Sequence, residues 1–179
     1  MPPLWVRLCH WTNALVFLVM LTSGWQIYNA DPFWISGFAP ALTLGGSLPG
    51  ALMWHFAGMW LLAANGLLVL VLLVKTGRLR RLYLSLGAGH DGHERSRVQK
   101  VAYLGVLTLL VLIVLSGLAI WKPVQLQWLA HLFGGYQWAR QAHFLCMSLL
   151  AAFVGGHVAL ALLSPRLLLA MLGLKRKAP

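Results

Sequence analysis

Four stretches of this chain, residues 8–28, 52–74, 101–121 and 141–163, are mostly apolar and long enough to cross a bilayer. A membrane-spanning helix needs about 20 such residues, so these runs constrain the fold more than any other feature. The third is the clearest, with 13 Val, Leu and Ile between Val101 and Ile120. At roughly −0.3 to −0.6 kcal/mol each, they favour insertion by about 4 to 8 kcal/mol. Composition agrees: 60% of the residues are hydrophobic and 9% charged, whereas soluble domains carry about 25% charged residues. Disorder and a collagen-like chain are excluded, and two cysteines in 179 residues make no disulfide scaffold. The first run carries His10, Trp11 and Asn13 and lacks a small-x-small cleavage site, so it reads as a retained helix, not a signal peptide. The expectation is an all-α integral membrane four-helix bundle, one domain over residues 1–179.

The basic residues orient it. Arg7 precedes the first span; Lys75, Arg78, Arg80, Arg81, Arg95, Arg97 and Lys100 lie between the second and third; Arg166, Lys175, Arg176 and Lys177 follow the fourth. That puts 12 of 14 on one side, with Lys122 and Arg140 opposite. The positive-inside rule then places both termini in the cytoplasm. The net charge of +11 is thus topological and does not point to nucleic acid, which would need a basic face on a soluble body. On the outer side, residues 32–50 read as irregular and half-apolar, and 124–133 as a short helix in the interface plane. The inner connection around residues 87–93 reads as a solvated loop. No convincing internal repeat is apparent.

Ionisable groups inside a membrane are costly and point to function. Four histidines fall inside spans: His10, His55, His143 and His157. His143 and His157 are 14 residues apart, about 40° short of four full turns, so they share a helix face about 21 Å apart along the axis. The run of the spans then pairs residues by depth: His55 with His143 near the outer face, His10 with His157 nearer the cytoplasm. Zinc wants three or four ligands, and no further Cys, Asp or Glu is in reach at either level. Cys9 and Cys146 lie on opposite sides of the membrane. Two haem irons, each with two axial histidines, fit instead, their rings lying between helices. No Cys-x-x-Cys-His occurs, so the haems are b-type. Gly24, 14 residues after His10, and Gly58, one turn after His55, clear room for a porphyrin, as do Gly155 and Gly156; small residues also suit ordinary helix packing. Arg7 and Arg140, each about one turn before a histidine, suit the propionates and equally suit topological anchoring. His90, His93 and His131 read as solvated or interfacial, and Met20, Met59 and Met147 as core.

The opening Val-Arg-Leu-Cys-His-Trp of residues 6–11, the glycine 14 residues past His10, His55 opening the second span and the His143–His157 pair together resemble a known family. It comprises the di-haem cytochrome b subunits that anchor bacterial nickel–iron hydrogenases, formate dehydrogenases and thiosulfate-reductase-type enzymes. The resemblance covers essentially the whole chain, and the 14-residue histidine pair is its most specific element. It implies the same depth pairing, electron transfer between two haems b, and a quinone reacting beside the inner one. The resemblance also implies a multi-pass protein of the bacterial inner membrane. The family's hydrogenase members are usually longer, often with a fifth helix, whereas residues 166–174 are too short to cross.

An iron with two imidazoles has no open site, so such a chain moves electrons and performs no bond chemistry at the metal. It is expected to be the electron-transfer subunit of an oxidoreductase, joining a periplasmic redox protein (a molybdenum or iron–sulfur subunit, or a cytochrome c) to the quinone pool, in either direction. Asn13, Asn65, Tyr103 and His157 itself are the polar groups placed to meet a quinone; each also suits interhelical bonding. One alternative is a stand-alone quinone-linked oxidoreductase acting on a diffusible radical such as superoxide, steered by Lys122 and Arg140. A more distant one is a metal transporter or assembly factor.

Overall fold

The computed structural model describes residues 2–78 and 97–174, without the side chains of 97–100. Among them are six α-helices: α1 (Leu4–Ala30), α2 (Leu48–Lys75), α3 (Arg97–Trp121), α4 (Gln127–Leu132), α5 (Tyr136–Leu163) and α6 (Pro165–Leu172). The described residues contain no strand. The four long apolar runs are α1, α2, α5 and the Val101–Trp121 part of α3, each long and apolar enough to cross a membrane. Three of them extend beyond the expected limits, because turn residues, not the ends of the apolar runs, stop them. Pro3 precedes α1, and Asp31–Pro32 follows it. Ser47 caps α2 by accepting from the Gly50 amide at 3.3 Å, with Pro49 in the first turn. α5 starts after Gly135 at φ 111° and ends at Ser164, before Pro165. His90 and His93, with the rest of the inner connection at 79–96, and Lys175–Lys177 lie outside the described residues.

The chain divides into two compact units, residues 1–83 with 166–179 and residues 84–165. In the first, α1 packs on α2. The buried residues of α1 include Cys9, Val16 and Ser23, and those of α2 are Ala51, Gly58 and Asn65. Both sets recur every seven residues, the spacing of helices that wrap at a shallow angle. Gly58 lets the backbones close up, since a Cβ there would meet Met20 Cγ at 2.8 Å. The connection at 31–47 is tied to the end of α1. The Tyr28 hydroxyl accepts from the amides of Phe33, Trp34 and Ile35, and Asn29 bonds both the amide and the carbonyl of Phe38. A short 3-10 turn at Pro40–Leu42 follows, and Gly45, at φ 112°, lies too close to the backbone of Ala51 for any side chain.

α6 belongs to this unit and is moored to α1. Arg7 donates from Nε to the Met171 carbonyl (3.2 Å) and from Nη2 to that of Leu172 (3.1 Å). Trp11 Nε1 also donates to Met171 (3.2 Å). These groups meet the unpaired carbonyls that end any helix, where positive charge is favoured. Arg78 stands over the Trp5 ring at 5.7 Å.

In the second unit α3 packs on α5, with the six-residue α4 between them in sequence. Ala119, Leu129, Ala130 and Ala139 form its buried cluster. α4 lies inside the stretch where a short helix is expected. Long apolar side chains stay exposed along all four long helices, Leu18, Leu67, Leu107 and Leu160 among them; such surface suits lipid, not water.

Candidate functional site

In the first unit, His55 on α2 faces Ser23 and Gly24 on α1. Ser23 is fully buried, with its Oγ 3.1 Å from His55 Nδ1. The seryl hydroxyl has one proton, and Val19, four residues back, takes it on its carbonyl at 2.6 Å. Oγ can therefore only accept from the ring, so Nδ1 carries the imidazole proton. The Met20 carbonyl is a second acceptor for His55. A Cβ at Gly24 would meet His55 Cε1 at 3.5 Å, an ordinary contact distance.

The second unit repeats this arrangement. His143 on α5 faces Ser116 and Gly117 on α3. Ser116 is fully buried and donates to the Leu112 carbonyl, four residues back, at 2.7 Å. Its Oγ is 3.1 Å from His143 Nδ1, and the Ile113 carbonyl is 3.0 Å from the same nitrogen. A carbonyl only accepts, so here too Nδ1 bears the proton and the ring's lone pair is on Nε2. A Cβ at Gly117 would meet His143 Cε1 at 3.1 Å. The parallel extends to sequence: Ser-Gly at 23–24 and 116–117, and His-Phe-x-x-Met at 55–59 and 143–147. This local repeat was missed in the sequence, where no repeat is apparent, because the shared residues are few and lie in unlike apolar surroundings. Ser23, Ser116 and Gly117 were missed with it; the paired Ser-Gly dipeptides are the signal that could have found them.

His10, on α1, is half-buried and stands edge-on to Trp11, ring centroids 5.6 Å apart. His157, on α5, is exposed and stacks on Phe153 at 6.3 Å. Arg140 donates to Gln137 Oε1 at 3.0 Å. Arg7, placed by sequence near a propionate, is bonded to the end of α6 as described, with two of its five N–H donors used there by these bonds. Gly58 lies against Met20, while a Cβ at Gly155 or Gly156 would meet nothing within 4 Å. His131 is exposed on α4.

Asn13 and Asn65 come together. Buried Asn65 donates from Nδ2 to Asn13 Oδ1 at 2.7 Å and to the Cys9 carbonyl at 3.0 Å. Asn13 itself is exposed on the α1 surface, so its amide NH₂ group is presented outward. Tyr103 is exposed on α3. Among the described residues, no three His, Cys, Asp or Glu side chains gather as a bare metal ion would need. What His55 and His143 each offer is an imidazole nitrogen with the opposite ring nitrogen held in place, a donor type that fits an axial position of haem iron.

A family model described as prokaryotic cytochrome b561 matches residues 3–174. The chain is 44% identical, over 186 residues, to the putative protein-methionine-sulfoxide reductase subunit YedZ1 of Azospira oryzae. That match covers 95% of this chain and 94% of the relative. No solved structure matches the chain significantly.

Proposed function

The chain belongs to the prokaryotic cytochrome b561 family of multi-pass membrane haem proteins, which bind haem b and serve electron transport, and from that premise we propose that it holds two haems and carries electrons across the bacterial inner membrane. In this reading His55 and His143 would hold the outer haem, His10 and His157 the inner one, and residues 1–179 would act as one domain. Depth along the spans supports the pairing, and the matched settings of His55 and His143 support a shared role for those two. With both termini cytoplasmic, the orientation that 12 of 14 basic residues on one side support, the His55 level is periplasmic. A haem held between two of these imidazoles would supply single-electron transfer and offer no position for substrate.

The chain's own residues do the rest. Arg140 and the unspent donors of Arg7 meet propionates at the two interfaces. On the cytoplasmic side Asn65 takes up the Asn13 carbonyl, which aims the Asn13 amide NH₂ at the carbonyl of a bound quinone; Tyr103 is the second candidate at that level. Gly24 and Gly117 keep the α1 and α3 surfaces low beside the ligating rings, and Gly58 keeps α1 and α2 close.

The relative's name points to the partner. We infer that this chain is the membrane subunit of a protein-methionine-sulfoxide reductase, with a periplasmic catalytic subunit. Reducing a methionine sulfoxide to the thioether and water takes two electrons and two protons, so electrons would leave the quinol pool and move outward. The observation that carries the reading is the pair of matched histidine settings, His55 with Ser23–Gly24 and His143 with Ser116–Gly117, inside a cytochrome b chain. Its test is a reduced-minus-oxidised spectrum of the purified chain with a haem-to-polypeptide ratio. Two haems b per chain, reduced by a quinol analogue, are expected; one haem, or none, overturns the reading.

A further inference from the structure

Each of these two histidines meets a buried serine whose only proton is already spent. A serine turned back on its own helix is common in apolar segments and is usually no more than a satisfied hydroxyl. Here the consequence is directional. Ser23 Oγ gives its proton to Val19 at 2.6 Å and Ser116 to Leu112 at 2.7 Å. What each turns toward its histidine is therefore lone pairs alone, both times at 3.1 Å from Nδ1. The backbone carbonyl three residues earlier, Met20 or Ile113, is a second acceptor on the same ring. Two helix pairs with different side chains around them arrive at one geometry.

We propose that Ser23 and Ser116 are positioning residues that fix the tautomer and ring plane of His55 and His143 and strengthen their donation, lowering the electron affinity of the haem these histidines hold. This rests on the ligand assignment above. An acceptor on Nδ1–H draws the proton away from the ring and raises electron density at Nε2, which stabilises ferric iron over ferrous. Removing the serine leaves the carbonyl in place, so the effect of each is partial. Because the two settings match, the two effects are equal and add.

The experiment is a redox titration of the purified chain carrying Ser23→Ala, Ser116→Ala or both, with haem content and the ferric low-spin magnetic resonance signal read on each. Alanine is close to serine in volume, so two haems per chain are expected throughout. Each single variant shifts the reduced-to-oxidised ratio of one haem about threefold toward reduced. The double variant shifts it about tenfold, ~59 mV for a one-electron couple. The other haem stays where it was, the low-spin signal of the shifted haem changes, and Ser→Thr restores the native potential. Two haems with native potentials in the double variant overturn the proposal while leaving the ligand assignment intact. Retention of both haems by His55→Ala and His143→Ala overturns the ligand assignment itself. Where an alanine variant loads poorly, the potential is read on Ser→Cys, whose sulfur accepts weakly. A cysteine variant displaced upward supports the proposal, and one matching the native chain overturns it.

Discussion

Among single side chains, the histidines proposed as haem ligands and the glycines facing two of them carry the sharpest expectations. Replacing His55 or His143 by Ala removes the outer haem, taking the measured ratio from two per chain to about one. Replacing His10 or His157 removes the inner haem and leaves the outer one loaded; indiscriminate loss of both on every replacement would break the depth pairing. The glycines differ from each other in a way only distances reveal. A Cβ at Gly24 stands 3.5 Å from the His55 ring, ordinary contact, whereas one at Gly117 stands 3.1 Å from His143. Alanine in a helix interior is favoured over glycine by about 0.5–1 kcal/mol. Gly24→Ala therefore keeps full haem content with equal or higher stability, while Gly117→Ala displaces the His143 ring and lowers loading. The haem-to-polypeptide ratios of the two variants, side by side, check this.

For helices and their contacts, the polar bonds inside unit 1 set what can be measured. Asn65 links α2 to α1 through Asn13 and Cys9 in an otherwise apolar seam. Interhelical bonds of this kind in membranes contribute about 0.6 kcal/mol, up to about 1.7. Asn65→Ala is expected to lower stability in detergent by that amount, seen as a lower Tm, and also to weaken reduction of the haems by quinol by freeing the Asn13 amide. The short α6 depends on Arg7, whose fork spans two carbonyls at its end. Arg7→Ala releases it, so limited proteolysis should cut residues 164–174 faster than in the native chain. Lysine, a single point charge in place of a planar fork, restores protection only in part.

For the molecule as a whole, the decisive property is orientation. A phosphatase reporter fused after residue 179 is expected to be inactive, and one inserted in 124–133 active, because only the latter is periplasmic if 12 of 14 basic residues stay inside. The opposite pattern would exchange the levels assigned to the two haems and move the quinone site to the periplasmic side. The same chain-wide view frames the partner. The relative matches this chain at 44% identity across almost the full length of both. A catalytic subunit that takes electrons from one is expected to accept them from the other, in membranes supplied with quinol and a methionine sulfoxide substrate.

The four spans, their approximate limits and the position of His10, His55, His143 and His157 on them were legible in the residues alone. Bilayer thickness, helix rise and the cost of a buried ionisable group are properties of local chain and solvent, and they act on each segment independently of its neighbours. So was the likeness to a cytochrome b, which rests on spacing along one helix. The serines were not legible. A Ser-Gly pair in an apolar run is neutral until the helix opposite is known, and the facing histidines are 32 and 27 residues further along the chain. Nor was the bond of Arg7 to the end of α6, 164 residues away. Those partners are chosen by how helices pack, and packing is a relation between segments that no segment contains.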